Sequence, residues 1–390
     1  MRLVGAAEGG NALRRMISAA GATLAATFTL IGAPPVHAQA DPACRALRYQ
    51  GTQQAPDGSI GGDSDLAQGP TADTAIGMAA AGFDPRTMRA GGKSLYDYLA
   101  SKAPSSATSS PGRTGRLILA VVAARLDPTA FGGVNLVTKL QGTYDSATGA
   151  FGDGATANQA FAILGLRAAG AAVPAAGVGH LKDQQSLVDH GWNFGSTSAG
   201  ESDTNSTAMA LMALAAAGDH AADAAALGYL QGQQNSDGGF PYQKPSAFGT
   251  SSDPDSDALV LQALVATGQD PSSGSWTKSG RTPMANLLSM QDASGGFGAP
   301  DSFTTSMVPA ALVLKPYASG YPYAAGASLP GSCEPSAAQT GNAASTATPA
   351  AAAAQLPATR GLPPGGSLWL AIAACSLAFC GGLLALTLRR

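Results

Sequence analysis

Between Cys44 and Pro316 the chain alternates apolar, Ala- and Leu-rich stretches with short runs of Gly, Pro, Asp and Ser. The pattern predicts twelve helices: 43–54, 71–82, 92–102, 113–125, 133–141, 155–170, 176–187, 203–218, 221–234, 253–268, 280–291 and 302–315. They fall into two classes. Stretches such as Phe161–Ala169, Met209–Ala215 and Leu259–Ala266 are apolar nearly all round. A helix of that kind is buried on most sides, so these belong to an inner layer. The alternate stretches, such as Arg281–Gln291, are more polar and belong to an outer layer.

The turns that lead into the inner helices repeat. Gln141–Gly152, Gln185–Gly195, Gln234–Pro241 and Gln291–Gly298 each hold a Gln, turn-forming residues, Gly and a large aromatic. The aromatics Phe151, Trp192, Phe240 and Phe297 lie 41 to 57 residues apart. A repeat of that length made of two helices and a turn is an array of helix pairs. Six pairs close an α/α toroid rather than leave an open solenoid. The expected fold class is therefore all-α. The Gly residues permit turn conformations closed to other residues, the aromatic plugs between neighbouring pairs, and the Gln bonds backbone at the end of an outer helix.

The ends of the chain differ from this body. Arg14 and Arg15, an apolar run from Met16 to Gly32 and the small-residue pattern Ala38-Gln39-Ala40 predict a cleaved secretory signal over 1–40. The signal is read as ordinary secretion, with twin-arginine export the alternative. Residues 334–366 are dominated by Ala, Pro, Thr, Ser and Gly and are expected to form an extended stalk. Within 367–388, the 21 residues from Leu368 to Leu388 carry no charge, enough to cross a bilayer. Arg389 and Arg390 follow and are expected to stay on the cytoplasmic side, which leaves the body, 41–333, outside the cell. Leu356–Gly361 (LPATRG) resembles the LPxTG wall-sorting signal of surface proteins. It has Arg360 where that signal has Gly, so a retained single-pass membrane anchor is preferred to wall attachment.

Cysteine and charge narrow the choices. Cys375 and Cys380 lie in the predicted span, while Cys44 and Cys333 bracket the body. In an oxidising compartment a closed ring would bring Cys44 and Cys333 together as a disulfide. No cysteine lies within 45–332, and His180, His190 and His220 lack metal-ligand spacing, so neither a metal nor another cofactor is implied. With net charge −3 and 12% charged residues there is no basic stripe for nucleic acid.

The Gln–Gly–aromatic turns resemble the QW-type repeat of squalene–hopene cyclases and other class II terpene cyclases. The same barrel occurs in protein prenyltransferase β subunits, complement thioester domains and the cobalamin carriers intrinsic factor and transcobalamin. The resemblance covers roughly 45–320. Asp203-Thr-Asn205-Ser-Thr207-Ala and Asp253-Pro-Asp255-Ser256-Asp257-Ala align with the DxDDTA motif, whose middle Asp is the acid in that family. The resemblance puts Asp255 in that catalytic position. Ser256 and Asp257 depart from the motif, and Asn205 replaces the acid in the earlier copy. The absence of body cysteines excludes the prenyltransferase zinc set, and the thioester motif is missing.

Two readings of the acidic clusters stay open. Asp, Ser, Thr and Asn at a helix start cap free backbone N–H groups. Alternatively, Asp203, Asp253, Asp257 and Asp301, with Trp192, Phe240 and Phe297, line a ligand-binding rim where the inner helices converge. The functional expectation is a membrane-anchored extracellular toroid that binds a small molecule or surface polymer without catalysis. The alternative is a divergent terpene cyclase-like enzyme using Asp255 as acid.

Overall fold

The computed structural model describes residues 41–62, 65–247 and 249–333. The predicted signal, stalk and membrane span lie outside these residues. Among those described, no helix is long and apolar enough to cross a membrane.

The described residues fold into twelve α-helices: α1 (Pro42–Thr52), α2 (Gln68–Ala80), α3 (Leu95–Ser109), α4 (Pro111–Ala123), α5 (Leu136–Gln141), α6 (Thr156–Ala168), α7 (Ala175–Asp183), α8 (Thr204–Ala217), α9 (Asp223–Gln233), α10 (Pro254–Ala266), α11 (Pro283–Ser289) and α12 (Ser302–Leu312). Each predicted stretch falls on one of them. The only sheet among the described residues is a two-residue hairpin, β1 (Arg89–Ala90) with β2 (Lys93–Ser94). The predicted end of α3 at 102 is too early. The helix runs through Pro104, and its extra turn is tied down by Ser106 Oγ donating to Gln68 Oε1 at 2.7 Å.

The even-numbered helices form the inner ring. Each packs on the next, from α2 through α4, α6, α8 and α10 to α12, and α12 packs back on α2. The odd-numbered helices lie outside, and α1 covers the seam between α12 and α2. Small residues make this closure possible. At Gly115 and Gly165 the backbones of α4 and α6 approach so closely that a Cβ on either would overlap the other helix. Burial of apolar surface all round the inner helices is the main source of stability, with residues Ala208–Leu214 of α8 and Ala258–Leu264 of α10 buried without a break.

The ends of the ring are fastened covalently and by hydrogen bonds. Cys44 and Cys333 form a disulfide with Cα atoms 5.6 Å apart, and Asp41 N donates to Cys333 O at 2.9 Å. Gln50 Nε2 donates to Ser302 O at 2.8 Å, and Gln291 Nε2 to Pro42 O at 2.9 Å.

The repeated turns behave as fasteners. Gln234 Nε2 donates to Gly238 O at 2.9 Å and across to Trp276 O at 2.8 Å, and Gln291 makes the matching bond to Gly295 O at 3.0 Å. Gly238 and Gly295 hold φ of 89° and 94°, with no room for a side chain. The loosest copy departs from the expectation. Gln141 is exposed, and Gln159 of α6 reaches over instead, donating to Gly149 O at 3.0 Å and Gly177 O at 2.8 Å.

Candidate functional site at the mouth of the ring

The N-termini of the six inner helices converge on one face, the mouth, and five of them share one register; in α4 the matching residue, Thr114, instead donates to Ser106 O and Ser110 O, both at 3.0 Å. The residue four after the N-cap points back to the turn that precedes the helix. There it accepts the backbone N–H of the plugging residue: Thr71 from Ile60 (2.8 Å), Gln159 from Phe151 (2.8 Å), Thr207 from Trp192 (2.9 Å), Asp257 from Phe240 (2.6 Å) and Thr305 from Phe297 (2.9 Å). The residue two after the cap is about half a helical turn away, and so faces the mouth; the residue six after it is on the same face one turn deeper. The mouth positions are Gly69, Gly112, Ala157, Asn205, Asp255 and Phe303. The deeper positions are Asp73, Arg116, Phe161, Met209, Leu259 and Met307.

At the deeper level the ring is filled. Phe161, Met209 and Leu259 are buried, and Arg116 lies over the Phe161 ring at 4.3 Å. Arg116 also pairs with Asp73 at 3.1 Å. From the chain beyond α12, Tyr317 inserts beside Phe161, ring centroids 5.7 Å apart, and its hydroxyl donates to Asp73 Oδ1 at 3.2 Å. Burial raises the Asp73 pKa, although Arg116 and the Tyr317 hydroxyl oppose the rise. The centre of the ring is therefore closed by side chains, Tyr317 chief among them.

The mouth above this floor is uneven. On the α2–α4–α6 side the mouth positions are Gly, Gly and Ala, and a cleft opens between Gln68, Arg113, Arg116, Asn158 and Phe161. On the α8–α10 side stand Asn205 and Asp255, 8% and 9% exposed, each with its Oδ1 lacking any hydrogen-bond partner. Asp255 Oδ2 receives only a long bond from Thr304 Oγ1 at 3.4 Å. Burial, then the neighbouring Asp253 and Asp301 carboxylates, push its pKa well above the usual range.

The other sequence candidates divide by this register. Asp203, Asp253 and Asp301 are N-caps: Asp203 accepts Ser206 N at 2.7 Å, Asp253 accepts Asp255 N at 3.3 Å, and Asp301 accepts Phe303 N and Thr304 N at 2.8 and 2.9 Å. Burial raises Asp203 to about 6 despite those bonds. Asp257 is not on the rim. It is fully buried, and its second oxygen takes Asn286 Nδ2 at 2.8 Å, so both oxygens are used in structure. Trp192, Phe240 and Phe297 are likewise not on the rim. All three are 0% exposed plugs between helix pairs and offer no surface to a ligand. Sequence reading missed Asp73, Arg113, Arg116 and Tyr317. The available signal was a charge inside an apolar stretch, at the same register in two neighbouring inner helices. Among the described residues no group of three or more His, Cys, Asp or Glu side chains has the arrangement of a metal site.

Solved structures share this architecture. The apo form of the type II terpene cyclase MstE from Scytonema superposes with a TM-score of 0.50 at 12% identity, covering 70% of this chain and 96% of the other. A point variant of a glycosidase matches with the same TM-score and identity, covering 70% of this chain and 97% of its own. The fold is an α/α toroid. At such identity the likeness is one of fold alone, and the toroid is shared by proteins of different chemistry. No protein-family model matches the chain, and no curated protein matches it by sequence.

Proposed function

We propose that this toroid is a ligand-binding module, held on a membrane stalk outside the cell, that takes its ligand at the mouth rather than in a central funnel. The observation that carries the reading is the contrast between two levels of one ring. The centre is packed by Phe161, Met209, Leu259 and Tyr317, whereas Asn205 and Asp255 just above hold nearly buried oxygens that bond nothing. Buried polar atoms without partners are costly, and a ligand's hydroxyl or N–H groups would relieve that cost.

The disulfide supports an exported location, since such bonds persist in oxidising compartments. The described chain ends at Cys333, beside the start of α1. Native mass spectrometry of the chain purified from its own host tests the reading. A bound small molecule is expected on the wild type and not on Asn205→Leu or Asp255→Asn. A bare wild-type mass, or the same adduct on all three, would overturn it.

A second reading has one observation in its favour. An acid catalyst needs a carboxyl that holds its proton to higher pH than usual, and burial, with Asp253 and Asp301 beside it, shifts Asp255 in that direction. In that case the Asp255→Asn protein would still bind its ligand but would no longer convert it.

A further inference from the structure

The turn that leads from α7 into α8 carries two apolar side chains where the fold asks for none. Leu187 and Val188 stand at its tip, 87% and 92% exposed, the two most exposed large hydrophobics among the described residues. The preceding repeat supplies a control within the same chain, because the turn that leads into α6 has the same backbone. Asp145 N donates to Ala150 O and Gly149 N to Asp145 O, both at 2.8 Å. Ser186 N donates to Gly191 O and His190 N to Ser186 O, at 2.9 and 3.1 Å. Asp145 Oδ1 accepts Ala147 N at 2.9 Å, and Ser186 Oγ accepts Val188 N at 3.2 Å. In this register Ser146 and Ala147 stand where the later turn has Leu187 and Val188, and Gly149 stands where it has His190. Gly149 and His190 both hold positive φ, 77° and 65°. The turn is therefore made by its backbone and its first side chain, and its tip could as well be polar. The two shorter turns, with Ser236-Asp237 and Ala293-Ser294, have no large apolar residue at the tip either.

We propose that Leu187 and Val188 dip into the lipid bilayer to which the stalk tethers the ring. This rests on the membrane stalk proposed above and adds a second contact with the same membrane. The size and shape of the tip favour lipid over a protein partner. It is a convex turn, and two side chains expose far less than the about 1,000 Å² that a stable protein interface buries. A bilayer takes up single apolar side chains without a matching surface. The charged side chains nearest in sequence do not make the tip a headgroup site. Lys182 pairs with Asp219 at 2.9 Å, and Asp189 turns inward to accept Ser202 Oγ at 2.6 Å and Gly191 N at 3.2 Å. The contact is therefore apolar. Reach is not a restriction: residues 334–366 would extend on the order of 100 Å at about 3.1 Å per residue. Two side chains would hold a free protein weakly, but on a tether the contact is intramolecular and its effective concentration is high. Because the turn opens into α8, the contact would bring the mouth, with Asn205 in the first turn of that helix, close to the lipid surface.

Tryptophan fluorescence of the full chain in phosphatidylcholine vesicles tests this, read as the difference from wild type. Leu187→Trp is expected to be quenched about two-fold or more by bromine carried on the acyl chains, whereas Ser146→Trp, at the matching tip, is not. Adding anionic lipid should not raise the quenching. Leu187→Trp carrying Val188→Asp should lose the quenching at an unchanged melting temperature, since neither side chain is packed. Equal quenching of Leu187→Trp and Ser146→Trp, or quenching that survives Val188→Asp, overturns the inference. So does a blue-shifted Leu187→Trp that bromine does not quench, because a protein partner or a second copy would then cover the tip. A chain that floats with the vesicles but shows no quenching loses this inference alone. A chain that does not float loses the membrane stalk as well.

Discussion

A single register position explains why an acidic cluster that looks catalytic is divided between structure and site. Four residues after the cap, the inner helices use Thr71, Gln159, Thr207, Asp257 and Thr305 for one task, accepting the N–H of the residue that plugs the turn. Asp257 is the variant that also takes Asn286. Replacing it with Ala would leave two buried donors unpaired, at roughly 1–3 kcal/mol each. Asp257→Thr restores the residue used in three of the other four turns and should lose distinctly less. Urea unfolding of both variants checks this, and equal losses would show that the register does not govern Asp257. Two residues nearer the cap the side chains turn to the mouth, so Asp255 has a different fate from Asp257 although only Ser256 separates them.

At the scale of elements, the helix pairs and their turns were legible from sequence because their signals are local. Gly238 and Gly295 need positive φ, Gln234 and Gln291 reach carbonyls four residues on, and the inner helices are apolar all round. The contents of the ring were not legible, because they depend on which residues of different helices meet. Nothing near Tyr317 in sequence shows that it will reach Asp73, 244 residues away. Trp192, Phe240 and Phe297 misled for the same reason: an aromatic beside an acid reads as a rim, but the following helix draws it into the core. Tyr317 also yields a prediction about this element. Tyr317→Ala should cost about 3–5 kcal/mol by leaving a large cavity. Tyr317→Phe should lose only the bond to Asp73, about 1–2 kcal/mol. Thermal unfolding of the two variants measures the difference, and an Ala variant as stable as wild type would mean that the centre is not packed by this residue.

Across the whole molecule the buried acids set the response to pH. Asp73, Asp203, Asp253, Asp255 and Asp257 are all raised, chiefly by burial. A carboxyl whose folded pKa lies above its unfolded value stabilises the fold below the unfolded pKa, and that stability is lost as pH rises through the folded pKa. For Asp203, raised from 3.8 to about 6, the loss is roughly 3 kcal/mol between pH 4 and 6. Asp84, Asp189, Asp219 and Asp292 are lowered by their hydrogen bonds and act the other way: their stability is lost as pH falls below the ordinary carboxylate range. The fold should therefore be more stable near pH 4.5 than at pH 7. Asp203→Asn should flatten that slope, since an amide oxygen can still accept from Ser206. A melting temperature that rises steadily from pH 4.5 to 7 would contradict the burial of these acids.

The central claim is that the ring binds at its mouth over a closed centre. An electron-density map of the protein purified from its own host tests this most directly. Density is expected above Phe161, beside Asn205 and Asp255, with Tyr317 still in the centre. A vacant mouth, or a ligand occupying the place of Tyr317, would contradict it.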